Sequence, residues 1–501
     1  MLATILSLIP GDAAGAANHT PPAGVTYLFC GLLVGLILCL AFEERLHAKK
    51  SIIAGLFAVV CLLLGAAFHI LPFQDVLIGA IPISLPEGLL PSDWSPAHHI
   101  YGGEHAVHMP VYIPAVDWGV IAIILGSSLF VDVTSRSGLF TWIAIRLTKL
   151  SGGDPRKLLW FYGLMTVVFS AVLNNVTAMI IVGSLSAVSL GKLKRSNLLL
   201  AFLLTEGLLT NIGGLLTLIS SVPNIIVGQA AGISFVRFFI VASPFVLVTT
   251  LLTLWMAVRV FKIPRLSGVP ERLEAEELVA SFDENDGIDS VGFFWFGAAM
   301  LALFIAVIAT TSVLPWVSSL GMGYVALSFA LIMLLRYRSS ADRFYQTVDW
   351  DLLGFFGALF VVIYVMEHAQ VLHLIGQGVG LLLGLGPNGS TASLLVSAAG
   401  FSSVTDNIPL AAMLANILKA QAAQAPELIS SGHWWAVIFG ANLGGNLTPI
   451  GSASTLVAVT VMHKHKLPLS FIGFVAKALP YATLHLFIAV LYVLFVVPFL
   501  A

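Results

Sequence analysis

The chain has 501 residues, 58% hydrophobic and 10% charged, whereas a soluble domain carries about 25% charged residues, so it reads as a polytopic membrane protein. Its net charge of −2 argues against nucleic-acid binding. The three cysteines, Cys30, Cys39 and Cys61, lie in the first two apolar spans and form neither a disulfide framework nor a metal set.

Residues 1–22 read as an extracytoplasmic arm, because the short apolar run there lacks the preceding Lys or Arg of a cleavable signal. Ala23–Phe42 is one bilayer thickness of helix, and Arg45, Lys49 and Lys50 mark its far end as cytoplasmic. Ser51–Leu71 returns outward. Residues 72–117 form a polar outer loop whose histidines (His98, His99, His105, His108) match no compact metal spacing. Asp117–Thr134 crosses inward, and Phe140–Leu150, with Arg146 and Lys149, suits an interfacial helix.

Residues 156–190 are too long for one span and have cytoplasmic charges on both flanks, with Asn174-Asn175-Val176-Thr177 at the centre. Equal-signed flanks and a polar middle predict a re-entrant hairpin. Residues 196–229 cross outward, interrupted by Thr210–Val227, where paired glycines, Ser220-Ser221, a proline and two asparagines break an apolar run. Backbone broken at that depth is tolerated where it lines a protein cavity. Phe235–Phe261 comes back. Residues 262–290 hold eight acids and read as a solvated cytoplasmic linker.

Residues 291–501 repeat residues 23–261. Val348-Asp349-Trp350 matches Val116-Asp117-Trp118, and Asp406-Asn407 matches Asn174-Asn175, both at an offset of 232; Asn442-Leu443-Gly444-Gly445 matches Asn211-Ile212-Gly213-Gly214 at 231. An offset held this long is an internal duplication. It predicts a second hairpin at 391–420 and a second broken helix at 434–460. The flanking charges, including His463-Lys464-His465-Lys466, insert the second copy the opposite way, with both termini outside. The expected fold is all-α, with two inverted-topology repeats, the architecture of alternating access.

The motifs Asn175-Val176-Thr177, Glu206 with Asn211–Gly214, Pro223-Asn224, Asp406–Pro409 and Gly444–Gly451 resemble the ion transporter superfamily, in the branch of the arsenite permeases (ArsB), the NhaD-type sodium/proton antiporters and the P protein. The resemblance spans roughly Asp117 to Pro480. It implies a homodimer, a transport domain of two hairpins and two broken helices, and elevator-type movement. It also implies residence in a bacterial inner membrane and, for an arsenite permease, allows a soluble ATPase subunit as partner. The antiporter pattern carries Asp-Asn at the first hairpin and a Gly-Asp-Pro-Pro type sequence at the first break. Here Asn174-Asn175 and Ser220-Ser221-Val222-Pro223 stand instead, which removes two carboxylates and turns the reading away from a cation cargo.

Four polar patches are therefore expected to bind substrate: Asn174, Asn175 and Thr177; Asn211, Ser220, Ser221 and Asn224; Thr405 and Asn407; and Asn442, Asn446, Thr448, Ser452, Ser454 and Thr455. Neutral donors at half-helix starts suit an oxyanion or a hydroxylated neutral species such as arsenous acid. Asp406 and Glu206 are expected to carry the coupling proton or a sodium ion, since an unpaired charge there costs about 2.5–3.5 kcal/mol on the mildest scale. For Glu206 the alternative is interfacial water at a span edge; for Gly213-Gly214 and Gly444-Gly445 it is close helix packing. No phosphate loop, nucleophile–base pair or metal motif occurs, so the sequence calls for no cofactor and no enzymatic activity. The expectation is proton-coupled efflux of a small inorganic oxyanion or metalloid, plausibly arsenite or antimonite. Sodium/proton antiport is the alternative within transport. A passive channel would show a continuous polar stripe rather than four patches.

Overall fold

The computed structural model describes residues 21–71, 112–113, 115–338, 342, 345–346, 348–467 and 469–500. Among them ten helices are long and apolar enough to cross a membrane, and no strand occurs. The arm is thus described only from residue 21, and the histidines of the outer loop lie outside the described residues. The chain is an all-α polytopic membrane protein with two inverted repeats, each holding a hairpin and a broken helix.

The chain divides into two compact units. One comprises residues 1–39, 43–118 and 351–374. In it the backbone N–H of Ser51 donates to Asp351 Oδ1 at 3.2 Å, and the Ser51 hydroxyl donates to the same oxygen, which ties Lys50–Ala67 to the helix Trp350–His368.

The other unit comprises residues 40–42, 119–350 and 375–501 and contains both hairpins and both broken helices. The first hairpin has arms Pro155–Val172 and Asn175–Lys192. Its entry is fixed by Asp154, whose Oδ1 accepts from the backbone N–H groups of Arg156 and Lys157, with Pro155 in the first turn. The first broken helix runs Leu199–Gly213, then Val222–Ala230. The second hairpin has arms Gly386–Ser402 and Asn407–Gln424, and the second broken helix runs Ser431–Gly444, then Ala453–Lys464. Phe235–Val260 and Phe471–Phe495 close the two repeats, each with an internal proline, Pro244 and Pro480.

Three readings shift. The second hairpin begins at Gly386 rather than 391, because Gly386 turns at φ 80° and Pro387 starts the helix. The second broken helix begins at Ser431, where Ser430 and His433 form a capping box. The acidic linker is more than a solvated connection. It contains the helix Val269–Ala280, with Ala275, Val279 and Phe282 buried. Bases at the end of the first hairpin and on the helix Leu139–Ser151 supply the attraction: Arg195 pairs with Glu271, Lys194 with Glu274 at 3.2 Å, and Arg146 and Lys149 with Glu284.

Candidate substrate and ion site

The two breaks meet. Asn211 Nδ2 donates to Asn446 Oδ1 and to Ser452 Oγ, both at 2.9 Å, and Ser454 Oγ donates to Asn211 Oδ1 at 2.9 Å. From the other side Ser221 Oγ donates to Asn442 Oδ1 at 2.7 Å, and Asn442 Nδ2 donates to Asn224 Oδ1 at 2.9 Å. All of these side chains are buried. Buried amides are tolerated when each donor and acceptor finds a partner, and here each asparagine is matched across the repeat axis.

Each hairpin is stitched to its own break. Ser170 Oγ donates to Thr210 O at 2.6 Å and lies 2.8 Å from Asn175 Oδ1, the two acceptors sharing its one proton. Ser402 Oγ donates to Ala441 O at 2.6 Å, the same bond one repeat later. Thr217 donates to Ala171 O as Thr448 does to Ser403 O. The small residues follow the same rule. A Cβ on Gly213 would lie 2.7 Å from the Val167 backbone, and one on Gly444 would lie 2.4 Å from Ala399 O. These two glycines serve close packing. At Gly214 the added atom would meet Asn175 Oδ1 at 2.5 Å, so the first hairpin tip lies against the first break.

The four patches are therefore contiguous, and each holds a helix start, with Asn211 and Asn442 at the ends of the half-helices that precede the breaks. Asn174 caps the second arm of the first hairpin by accepting from Thr177 N at 2.8 Å. Ser452 caps Ala453–Lys464 by accepting from Thr455 N at 3.3 Å. Those two helices pack together. Both run antiparallel to Leu199–Gly213, since Asn175 meets Gly214 and Met179 meets Thr210, while Ser452 meets Asn211 and Ala458 meets Gly207, so the two run parallel with their starts side by side; Gly183 faces Val461. Two adjacent helix starts present paired partial positive charge. The equivalent pair is Asn407–Gln424 with Val222–Ala230. There the cap is a carboxylate, Asp406, whose Oδ1 accepts from Ile408 N at 3.2 Å.

The hydroxyl of Ser220 donates inward to Gly214 O at 2.6 Å, and Asn224 Nδ2 donates to the same carbonyl at 2.7 Å and to Thr217 O at 2.9 Å. Asn174, Asn175, Thr177, Thr405 and Asp406 are half-buried. Glu206 is fully buried, so it does not face interfacial water. It takes a hydrogen bond from Ser186 on Oε1, and its Oε2 has no partner among the described residues. Ser170, Ser186, Thr217 and Ser402 went unread in the sequence. The 232 offset alone pairs Ser170 with Ser402; for Ser186 nothing in the sequence stood out.

Residues 103–440 match the model of the citrate transporter family, CitMHS. The chain belongs to the CitMHS family. This CitMHS protein is 30% identical to the uncharacterized transporter Rv2684 of Mycobacterium tuberculosis over 381 residues, 75% of the chain and 86% of that protein. It is also 24% identical to the P protein of Mus musculus over 453 residues, 76% of the chain and 54% of that protein. Its fold is similar to that of the YdaH transporter of Alcanivorax borkumensis, with TM-score 0.55 and 15% identity over 95% of this chain and 98% of that one. The MtrF protein of Neisseria gonorrhoeae gives 0.52 and 16%, covering 98% and 96%.

Proposed function

We infer that this membrane transporter is a secondary active carrier of a small oxyanion, moved by alternating access and coupled to a cation. The carrying observation is the pair of parallel helix starts capped by neutral Asn174 and Ser452. Backbone N–H groups and amide or hydroxyl donors there suit carboxylate or inorganic oxyanion oxygens. Citrate, which gives the family its description, and arsenite are the two cargoes to try first. Asp406 at the opposite pair and Glu206 below the first break are the coupling groups. The reading carries with it the elevator-type movement, homodimer and bacterial inner-membrane location that the superfamily resemblance implies.

Proteoliposomes with an imposed pH gradient, offered citrate, arsenite, sodium or lithium, test this. Anion movement driven by the gradient is the expected result. Asn174→Asp, which gives the first tip the carboxylate of the second, should abolish it by repulsion. An internal pH change elicited by sodium or lithium with no anion movement would instead establish sodium/proton antiport. Asp406 at a helix start is the observation that favours that second reading.

A further inference from the structure

Four more buried polar side chains lie toward the charge-bearing end of the first hairpin, below the site described above. Ser186, Ser189 and Tyr162 belong to the hairpin arms and Thr148 to the helix Leu139–Ser151; none is more than 4% exposed. Tyr162 Oη lies 2.7 Å from Ser189 Oγ and 2.8 Å from Thr148 Oγ1. Ser186 stands three residues from Ser189 on one helix face, with no direct hydrogen bond between the two among the described residues, and donates to Glu206. The outer end of this row lies beside charged, water-facing groups: Thr148 precedes Lys149, which pairs with Glu284, and Ser189 lies three residues before Lys192. The inner end is Glu206, five residues from Asn211, about 7.5 Å along the helix.

We propose that Glu206 is the proton-binding group of the carrier, and that Ser186, Ser189, Tyr162 and Thr148 form the relay that loads it from the cytoplasmic side. This rests on the small-oxyanion reading above and names its coupling ion and entry path. Each hydroxyl, and a water carrying the step from Ser189 to Ser186, accepts one proton and passes on another, so one proton reaches the Glu206 carboxylate for each that enters the row, and every hydroxyl ends neutral. The bare Oε2 is the atom that takes it.

The repeat supplies the control against a merely structural role. At the offsets of 232 and 231, Tyr162, Ser186 and Glu206 correspond to Leu394, Leu418 and Val437, all buried, and Thr148 corresponds to Gly380. Ser189 alone has a polar counterpart, Gln421, so the same hairpin and broken helix pack without any match for Tyr162, Ser186, Glu206 or Thr148. Glu206 forms no ion pair among the described residues. The helices packed on Leu199–Gly213 are the two hairpin arms, Phe235–Val260, Ser431–Gly444 and Ala453–Lys464. Tyr162 is the titratable side chain within their middle turns. Their other titratable groups, Arg156, Lys157, Lys192, Arg237, Arg259, His433, His463 and Lys464, stand at helix ends.

The experiment separates cargo movement from proton movement. Full-length protein in proteoliposomes is assayed for citrate and arsenite counterflow at equal pH, and for uptake driven by a pH gradient with a trapped pH dye. Glu206→Gln should keep counterflow, lose the response to the gradient and leave the dye flat. Tyr162→Phe should keep counterflow at the wild-type rate and slow gradient-driven uptake by about tenfold or more, since a relay sets a rate and leaves the equilibrium alone. Glu206→Asp, which keeps the carboxyl group, should still respond to the gradient. If Glu206→Gln is driven by the gradient like the wild type, the proposal is overturned. If Tyr162→Phe is unslowed, the path is overturned. If neither anion shows counterflow in the wild type, the oxyanion reading fails and takes this proposal with it.

Discussion

The first repeat keeps an acid inside its broken helix, at Glu206, and an amide at its hairpin tip, at Asn174; the second keeps an acid at its tip, at Asp406, and a valine, Val437, inside its broken helix. Around these positions the frames share several bonds. Ser170 and Ser402 reach equivalent carbonyls, as do Thr217 and Thr448, and Gly213 and Gly444 let equivalent backbones touch. The braces within the breaks differ in tightness. Asn224 reaches its two carbonyls at 2.7 and 2.9 Å, whereas Thr455 reaches the matching pair at 3.4 and 3.5 Å. Features held in both repeats belong to the frame. Features held in one belong to what the frame carries.

Substitutions can break the shared frame or sharpen the unshared part. The largest loss is expected at the glycine pair. Gly444→Ala sets a Cβ 2.4 Å from a backbone oxygen and Gly213→Ala sets one 2.7 Å from backbone atoms, so both should fail to yield folded, monodisperse protein, Gly444→Ala more completely. Next come the bridging amides. Asn442→Ala strands Ser221 and Asn224 Oδ1, and Asn211→Ala strands Asn446 Oδ1 while Ser452 and Ser454 keep each other. At about 1–3 kcal/mol per stranded group, both should lower thermal stability in detergent, Asn442→Ala by about twice as much. Equal losses would show that Ser452 and Ser454 do not make up for Asn211.

The unshared acids should behave in the opposite way. Val437→Glu puts a second carboxyl where the second repeat offers no serine, and should cost about 2.5–3.5 kcal/mol. Glu206→Val removes a fully buried acid with a bare oxygen. It should leave stability unchanged or raised in the same melting assay, while gradient-driven uptake is lost. A marked fall in stability with Glu206→Val would place that acid in the frame after all.

Most of the frame was legible because a break in a lipid-facing sequence leaves its mark in residue type: paired glycines, Ser-Ser, Pro-Asn, and a copy of each at a fixed distance. The pairing partners were not. Asn211 with Ser452 and Ser221 with Asn442 join residues 241 and 221 positions apart, and a repeat offset says which residues are alike, never which ones touch. The helix Val371–Leu383 escaped because it lacks the bases that mark its counterpart at Leu139–Ser151. The acidic segment was read from charge alone, which said nothing of the bases facing it.

That segment gives the mildest test of the comparison, since its ion pairs are with the first hairpin's end and its neighbouring helix. The Arg195 guanidinium holds the Glu271 carboxyl below the usual carboxylate range, and the Lys149 ammonium does the same for Glu284. A carboxyl depressed in the folded state contributes stability that is present above its unfolded value and is lost as pH falls through the folded one. Unclipping should therefore need a pH below the ordinary carboxylate range, where both acids take up protons. Salt should loosen the same contacts at neutral pH, because they are exposed and screened. Hydrogen exchange over Val269–Ala280 should rise modestly with salt and with acid, and Arg195→Gln should reproduce part of the rise at neutral pH. Exchange at the far end of the second hairpin, residues 424–431, should not follow. If both ends respond alike, the strap is not what distinguishes the first hairpin, and salt is acting on the repeats as a whole.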